Sequence, residues 1–412
     1  MENSVRNKIA TVALVVVGFA LGFAEFIVIG ITPDIAQTYD VSLAAAGNLV
    51  GYFAIAYAVS TPLIVLSTGR FRRFPLFVVF LVVFNVGNIL AIFAASYEML
   101  LTARILAAVV SGVTLSTVMT FINDIVPEEK TPRIISFVYA GFSVASVLGT
   151  PAGALLAEAF GVKAAFIAVE AVALIVTLLL VFTLPHSGST DASSGVREQL
   201  VILKDPRIVL VMVMKGFGMA ATYVFYCYVT PIMEGPLGLS VWAVSIILFF
   251  YGGAAIVSNL GGGSLAQRYG LRKLPLMFAL QALVLALLGA SVASGNTVLA
   301  VINIVATGIF IYHMNAPLQT YLLQIASRDH PQALTLASAA MPTSSDMGIA
   351  LGSFVGGVVA SSGIGFTWSG PIGALIALIS VFAAIRILQP GARLGGSLKA
   401  RRRRERRSKI AE

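Results

Sequence analysis

Twelve long apolar runs constrain the fold of this chain more than any other feature. They cover residues 9–31, 44–66, 74–95, 99–122, 134–160, 164–184, 207–232, 241–266, 274–294, 297–324, 333–362 and 368–388. Each is long enough for an α-helix to cross a hydrocarbon core about 30 Å thick, which takes roughly 20 apolar residues. Of the 412 residues, 58% are hydrophobic and only 11% are charged, whereas about a quarter are charged in a soluble domain. The sequence therefore predicts an all-α integral membrane protein with twelve transmembrane helices. It excludes a water-soluble enzyme, a disordered protein and a collagen-like fibre.

Residues that build metal or nucleotide sites are scarce. A single cysteine, Cys227, excludes disulfide scaffolds and thiolate metal sites. The three histidines, His186, His313 and His330, are too scattered for a metal centre, and the chain has no Walker-type phosphate loop. We therefore predict no enzymatic activity, no metal and no cofactor. The energy for any transport must come from an ion gradient, such as a proton gradient, or from the gradient of the substrate itself.

Lysine and arginine residues occupy alternate connections between the runs. One set of connections carries Arg6, Lys8, Arg70, Arg72, Arg73, Lys130, Arg133, Arg197, Lys204, Arg207, Arg268, Arg272, Lys273 and Arg328, followed by the basic C-terminal tail. The opposite set carries only Lys163. Because positive loops stay in the cytoplasm, we predict a multi-pass protein of the cytoplasmic membrane with both termini in the cytoplasm.

The chain divides into two similar halves. A polar stretch rich in serine and glycine follows the sixth run and predicts a flexible linker. Thr32-Pro33 recurs as Thr230-Pro231, and Ser42 recurs as Ser240, both after 198 residues. We predict an N-terminal six-helix bundle over 1–184, a cytoplasmic linker over 185–206, a C-terminal six-helix bundle over 207–388 and a basic cytoplasmic tail over 389–412. Such a duplication is typical of transporters whose halves rock around a central site.

The C-terminal tail concentrates the positive charge of the chain. From Arg393 onwards it holds nine Lys or Arg residues against Glu405 and Glu412. Such a run could bind nucleic acid. Because the tail follows a membrane span, we instead expect it to contact anionic lipid headgroups, and we expect no nucleic-acid partner.

A short pattern follows the second run of each half. The second copy reads Gly263-Ser-Leu-Ala-Gln267-Arg268-Tyr-Gly270-Leu-Arg272-Lys273, and the first is reduced to Arg70, Arg72 and Arg73 after a glycine. This pattern resembles the Gly-x-Leu-Ala-Asp-Arg-x-Gly-Arg-Arg signature of the major facilitator superfamily, and the resemblance covers nearly all of 9–388. In that family the Asp contributes to a charge-based latch of the outward-facing state. Gln267 replaces it here, so the resemblance implies a weakened latch.

Three further segments resemble the bacterial sugar-efflux and drug:proton antiporter group of that superfamily: 22–36, 226–231 and 346–357. The resemblance implies two pseudo-symmetric six-helix bundles, a monomer, and proton-coupled efflux of small organic molecules such as drugs, sugars or nucleosides. Two alternatives stay open at this point. One is an uptake symporter on the same fold, and the other is a membrane sensor or scaffold that transports nothing.

The fifth run carries small residues at every fourth position, which places them on one helical face. Gly149, Pro151 and Gly153 resemble the antiporter motif of the family. We predict that this face slides between the two bundles. The alternative is close helix packing within one bundle.

Charged residues inside membrane spans are expensive and mark functional sites. At 1.5 Å per residue, Glu25 in the first run and Arg104 in the fourth lie at matching depths, and the resemblance places both spans beside one cavity. We predict that Glu25 and Arg104 pair and carry proton coupling, with Asp346 as a second proton-binding residue or as a protonated structural group. For Lys215 we favour an amine that reaches back to the membrane surface.

Polar residues within the runs are candidates for the wall of a substrate cavity. The candidates are Asn48, Tyr52, Tyr223, Tyr226, His313 and Asn315. For any one of them, a hydrogen bond between helices is an equally good interpretation.

Overall fold

The computed structural model describes residues 2–68, 71–127, 130–184, 200–362 and 365–389. Within these residues the chain is helical and contains no β-strand. Arg70, most of the predicted linker and the C-terminal tail from residue 390 lie outside the described residues. The predictions about them stay predictions.

The first half contains six long helices and one short one. They are α1 (Glu2–Gly30), α2 (Thr32–Thr38), α3 (Leu43–Thr68), α4 (Arg73–Ile92), α5 (Tyr97–Ile125), α6 (Thr131–Phe160) and α7 (Val162–Thr183). In a bilayer a spanning segment has no water to bind its backbone, so a helix that satisfies its own amides is the favoured structure. The side chain of Ser96 caps α5 by accepting a hydrogen bond from the Met99 amide at 3.3 Å.

The second half repeats this order with one change. It contains α8 (Pro206–Tyr226), α9 (Val229–Glu234), α10 (Val241–Tyr269), α11 (Leu274–Ala293), α12 (Thr297–Gly308), α13 (Asn315–Asp329), α14 (Leu334–Ser361) and α15 (Ser369–Leu388). The predicted continuous helix over 297–324 is wrong, because residues 309–314 leave the helical path between α12 and α13. Among the described residues, ten helices are long and apolar enough to cross a membrane. The broken pair α12–α13 and the longer helix α14 complete the twelve crossings.

Equivalent helices pack in the same way in the two halves. Helix α1 lies against α6 in the first half, and α8 lies against α14 in the second. The halves meet each other mainly along two helix pairs, α3 with α14 and α6 with α10. The two bundles are therefore related by a pseudo-twofold arrangement, with α3 and α6 of the first half and α10 and α14 of the second at the junction.

We call the side where α1 and α8 begin and α15 ends the basic face, and the other side the opposite face. The positive-inside rule places the basic face in the cytoplasm. Single cysteines introduced into a Cys227→Ser background test this orientation. In intact cells, an impermeant thiol reagent is expected to label Pro236→Cys, in the loop before α10, and to leave Ser67→Cys, at the end of α3, unlabelled. Labelling of Ser67→Cys from outside would reverse the orientation.

Candidate functional site

Four charged side chains are buried between the helices at the junction of the halves. Glu25 on α1 and Arg104 on α5 come from the first half, and Lys215 on α8 and Asp346 on α14 come from the second. Their exposed fractions are 4%, 1%, 5% and 7%. Each half thus contributes one acid and one base, so the four charges balance. Because an ionised group within a membrane is expensive unless it has partners, this set is the candidate functional site.

Arg104 does not form the predicted ion pair with the carboxylate of Glu25. Its Nη2 donates to the backbone carbonyl of Glu25 at 3.5 Å, and its Cζ lies 4.3 Å from the centre of the Phe53 ring. Its Nε and Nη1 have no hydrogen-bond partner in the part of the chain that is described. The charge of Arg104 still acts on the Glu25 carboxyl group. Arg104 is therefore held by a carbonyl and by a cation–π contact, which leaves Nε and Nη1 able to donate to another partner.

Lys215 is buried and does not reach back to the membrane surface, so that prediction is also wrong. Its Nζ donates to Oδ1 of Asn315 at 2.5 Å, and Nδ2 of Asn315 donates to Oδ1 of Asn259 at 3.4 Å. The carboxyl group of Asp346 is subject to the charges of both Lys215 and Glu25. The acids of the two halves therefore lie within electrostatic reach of each other across the junction.

The helix break near Lys215 leaves backbone groups within the membrane span without their usual helical hydrogen bonds. The amide of Tyr312 donates to Oγ of Ser258 at 3.0 Å. Nδ1 of His313 lies 2.6 Å from the carbonyl of Phe310, and its Nε2 has no partner among the described residues. Broken helices at membrane depth are tolerated where they line a cavity or are covered by protein. This break is where transporters place binding residues.

A group of tyrosines in mutual ring contact lies beside the two buried acids. The rings of Tyr223 and Tyr226 meet edge to face at 5.5 Å between centroids, and Tyr226 stacks on Tyr251 at 4.7 Å. The hydroxyl of Tyr226 lies 3.3 Å from Oγ1 of Thr150 on α6, so this contact joins the halves. Tyr57 on α3 is buried and is subject to the charges of both Glu25 and Asp346. The site thus combines flat aromatic surfaces with hydroxyl groups.

The two halves are closed against each other at the opposite face. The hydroxyl of Tyr228 lies 3.3 Å from the carbonyl of Ala44, 3.3 Å from Oδ1 of Asn48 and 3.2 Å from the carbonyl of Ser353. Oγ of Ser353 donates to the carbonyl of Gly47 at 3.0 Å. This structure therefore represents a state in which the candidate site is shut off from the opposite face.

Two predicted cavity residues belong to this closed contact instead. Asn48 lies against Tyr228, and the ring of Tyr52 meets the ring of Phe354 on α14 at 5.2 Å. The prediction that they line the cavity is wrong in this state. Tyr223, Tyr226, His313 and Asn315 do lie near the buried charges, although Asn315 is occupied by Lys215.

A family model, Major Facilitator Superfamily, matches residues 14–330. The chain belongs to this superfamily. It is a membrane carrier and not an enzyme.

Curated relatives and solved structures agree with this assignment. The chain is 33% identical over 376 residues to the uncharacterized MFS-type transporter YtbD of Bacillus subtilis, covering 91% of this chain and 94% of that one. It is 28% identical over 377 residues to the inner membrane transport protein YdhP of Escherichia coli, covering 91% and 95%. Its fold is similar to an inward-facing bacterial homologue of the human lysosomal transporter Spinster, with a TM-score of 0.70, 17% identity, and coverage of 92% and 96%. As a superfamily member, the chain is a multi-pass membrane protein.

The superfamily loop motifs lie on the basic face. Arg73 of the first copy forms an ion pair with Asp124 at 2.8 Å, and Arg72 is exposed.

The second copy of the loop motif follows α10. Gly270 ends this helix with a φ of 56°, a conformation that glycine adopts without strain. Gln267, Arg268 and Arg272 are exposed. The second copy therefore presents its basic groups to the membrane surface or to solvent.

The glycine face of α6 packs within one bundle, which contradicts the predicted sliding surface. A Cβ added at Gly149 would lie 3.4 Å from Cβ of Phe26, and one at Gly153 would lie 2.6 Å from the carbonyl of Ile27; both partners are on α1. Pro151 lies in the same helix.

A different side of α6 meets the second half, where Val147 contacts Gly252. The four-residue spacing correctly indicates close packing, but not which helix approaches.

Sequence reasoning missed four residues near the buried charges. They are Tyr57, Thr150, Tyr251 and Asn259. A buried tyrosine or asparagine needs a hydrogen-bond partner, so such a residue in the middle of an apolar run is a usable signal. Threonine carries no such signal, because it often bonds to its own helix.

Proposed function

We propose that this carrier exports small organic molecules, such as drugs, sugars or nucleosides, in exchange for protons. The observation that carries the proposal is the balanced set of buried charges, with one acid and one base from each half. The charges of the two acids act on each other across the junction. Binding a proton to either acid therefore changes the electrostatic interaction between the two halves. A carrier with these groups can link protonation to the opening and closing of the two faces.

The chemistry follows from the neighbours of each acid. A proton on Glu25 or Asp346 leaves Arg104 and Lys215 in excess, and the site then carries a net positive charge. Loss of that proton restores the balance. The free N–H groups of Arg104 and the tyrosine hydroxyls offer hydrogen bonds to a polar substrate, and the tyrosine rings offer apolar contact. Substrate and proton can therefore compete for the same surroundings, which exchange requires.

We place the protein in the cytoplasmic membrane, with the basic face and both termini in the cytoplasm, as a monomer. The positive-inside rule supports the orientation, and the relative YdhP is described as an inner membrane transport protein. The state with the opposite face shut would then receive substrate from the cytoplasm. This direction of loading is the one that export requires.

Proton flux in proteoliposomes tests the proposal. Vesicles that contain the protein and a trapped pH-sensitive dye are given chloramphenicol, uridine or D-xylose as probes of three chemical classes. At least one probe is expected to move protons in the opposite direction, and an imposed pH gradient is expected to drive that probe uphill. Co-directional movement of protons and probe would identify a symporter. Absence of flux with an extended panel of probes would contradict transport.

Three variants assign the coupling. Glu25→Gln and Asp346→Asn fix each carboxyl group in a neutral form, and uphill transport is expected to fall by at least about tenfold in each. Glu170→Gln is the matched control, because Glu170 is also buried but lies on α7, outside the four-charge set. Uphill transport at the wild-type rate in both Glu25→Gln and Asp346→Asn would exclude coupling through these acids.

A further inference from the structure

A cavity of about 460 Å³ lies at the basic face, entirely within the second half. Its wall is formed by the first turn of α8, the end of α10 and the loop after it, helix α13, and the last turn of α15. The charged side chains of the wall are Arg207, Arg272, Arg328 and Asp329. The cavity is separate from the four buried charges, and the proposed function does not use it.

One of the three arginines is already paired with two carboxylates and contributes no net positive charge to the wall. Nη2 of Arg207 lies 2.6 Å from Oδ2 of Asp205 and 2.7 Å from Oδ2 of Asp329. Burial raises the pKa of Asp205, but hydrogen bonds from Arg207 and His330 outweigh it, so the pKa is lowered overall. Asp205 therefore stays ionised. Arg207 lines the cavity and is held in place by two carboxylate partners.

The other two arginines are not paired with a carboxylate, because the Asp329 carboxylate in the same wall is held by Arg207. Within the described residues, neither Arg272 nor Arg328 makes a hydrogen bond or an ion pair, and both are exposed. Gln267, which stands where the superfamily signature has an acid, is neutral and supplies no carboxylate to this loop. Two unpaired guanidinium groups that line one cavity form a site for an anion, because their planar donor forks match the oxygens of phosphate.

The rest of the wall suits a phosphate group that carries an organic part. Thr320, Gln324 and Tyr269 offer polar groups, while Leu271 and Leu388 offer apolar surface. Helices α10 and α15 both end at this level, so the cavity lies where the chain leaves the apolar layer. Basic pockets between helices at this depth are suited to the headgroups of acidic lipids.

We propose that this cavity binds a phosphate group through Arg272 and Arg328, supplied by the headgroup of an acidic phospholipid or by a soluble phosphate ester. Bound phosphate would connect the ends of α10 and α13, because Arg272 follows the first and Arg328 belongs to the second. It would thereby stabilise the second half at the basic face.

Native mass spectrometry of the full chain, released from detergent micelles, tests the site with phosphatidylglycerol. The double variant Arg272→Gln/Arg328→Gln is expected to bind this lipid about tenfold more weakly or worse. The matched control Lys204→Gln/Arg386→Gln removes two exposed charges from the same face, outside the cavity wall, and is expected to stay within about twofold of wild type. Both variants keep the basic tail, so a difference between them reports the cavity.

The remaining arms distinguish the sources of phosphate. Phosphatidylcholine, which has no net charge, is expected to bind wild type and the double variant equally. If inorganic phosphate or glycerol 3-phosphate raises the melting temperature of wild type and displaces the lipid, the site takes soluble phosphates; if neither does, it takes the lipid. Equal binding of phosphatidylglycerol by the two double variants overturns the proposal, as does an equal loss of phosphatidylcholine.

Discussion

Lys215→Met is expected to abolish uphill transport and to lower the yield of folded protein. Lys215 is 5% exposed and is the cation of the second half that acts on Asp346. Its removal leaves the carboxylate of Asp346 without that cation and Asn315 without its donor. Breaking a direct buried ion pair costs about 3–5 kcal/mol. Lys215 acts on Asp346 without forming an ion pair with it among the described residues, so the loss expected here is smaller, but it is still a sizeable part of the stability of a typical domain. Thermal unfolding in detergent, together with size-exclusion chromatography, measures the effect.

A double variant separates charge balance from packing. Lys215→Met/Asp346→Asn removes both charges, so its stability is expected to recover most of the loss while uphill transport stays absent. Lys204→Met, at an exposed position on the same face, is the control and is expected to behave as wild type. A double variant that is no more stable than Lys215→Met alone would show that Lys215 does not balance Asp346.

Gly153→Leu is expected to yield no monodisperse folded protein, because α1 and α6 are in backbone contact at this position. A Cβ added at Gly153 would lie only 2.6 Å from the carbonyl oxygen of Ile27. A carbonyl within a helix cannot move aside as a flexible side chain can, so the two helices must separate. Even Gly153→Ala is expected to cost about 2 kcal/mol, in the range of overpacked cores. Thermal melting of the purified protein measures this loss.

Gly149→Ala is the matched control one helical turn away. There the added Cβ would lie 3.4 Å from the Phe26 side chain and 3.6 Å from the amide nitrogen of Ile27, which is ordinary contact. This variant is expected to melt within a few degrees of wild type and to transport normally. If both alanine variants melt alike, the backbones of α1 and α6 are not in close contact at Gly153.

The buried charges illustrate how far sequence reasoning reaches into the site. The depth of Glu25 and Arg104 along their helices follows from counting residues, because each residue advances a helix by 1.5 Å. The contact between them does not follow, since equal depth leaves the rotation of each helix open. Rotation directs Arg104 to a carbonyl and to Phe53 instead of the Glu25 carboxylate. The same limit applies to Lys215. Its side chain is long enough to reach the membrane surface, and only the tertiary structure shows that its amine donates to Asn315 next to the helix break instead.

The sequence by itself determined the membrane class, the twelve crossings and the order of helices in the two halves. These properties depend on local quantities, namely the length of apolar runs and the recurrence of residues between the halves. The tertiary structure decided the break in the tenth crossing, the partners of the buried charges and the helix that faces Gly153. These depend on which helices become neighbours and how each is rotated. In a chain that is apolar on every side, helical periodicity encodes neither, because lipid and protein are equally apolar surroundings for most side chains.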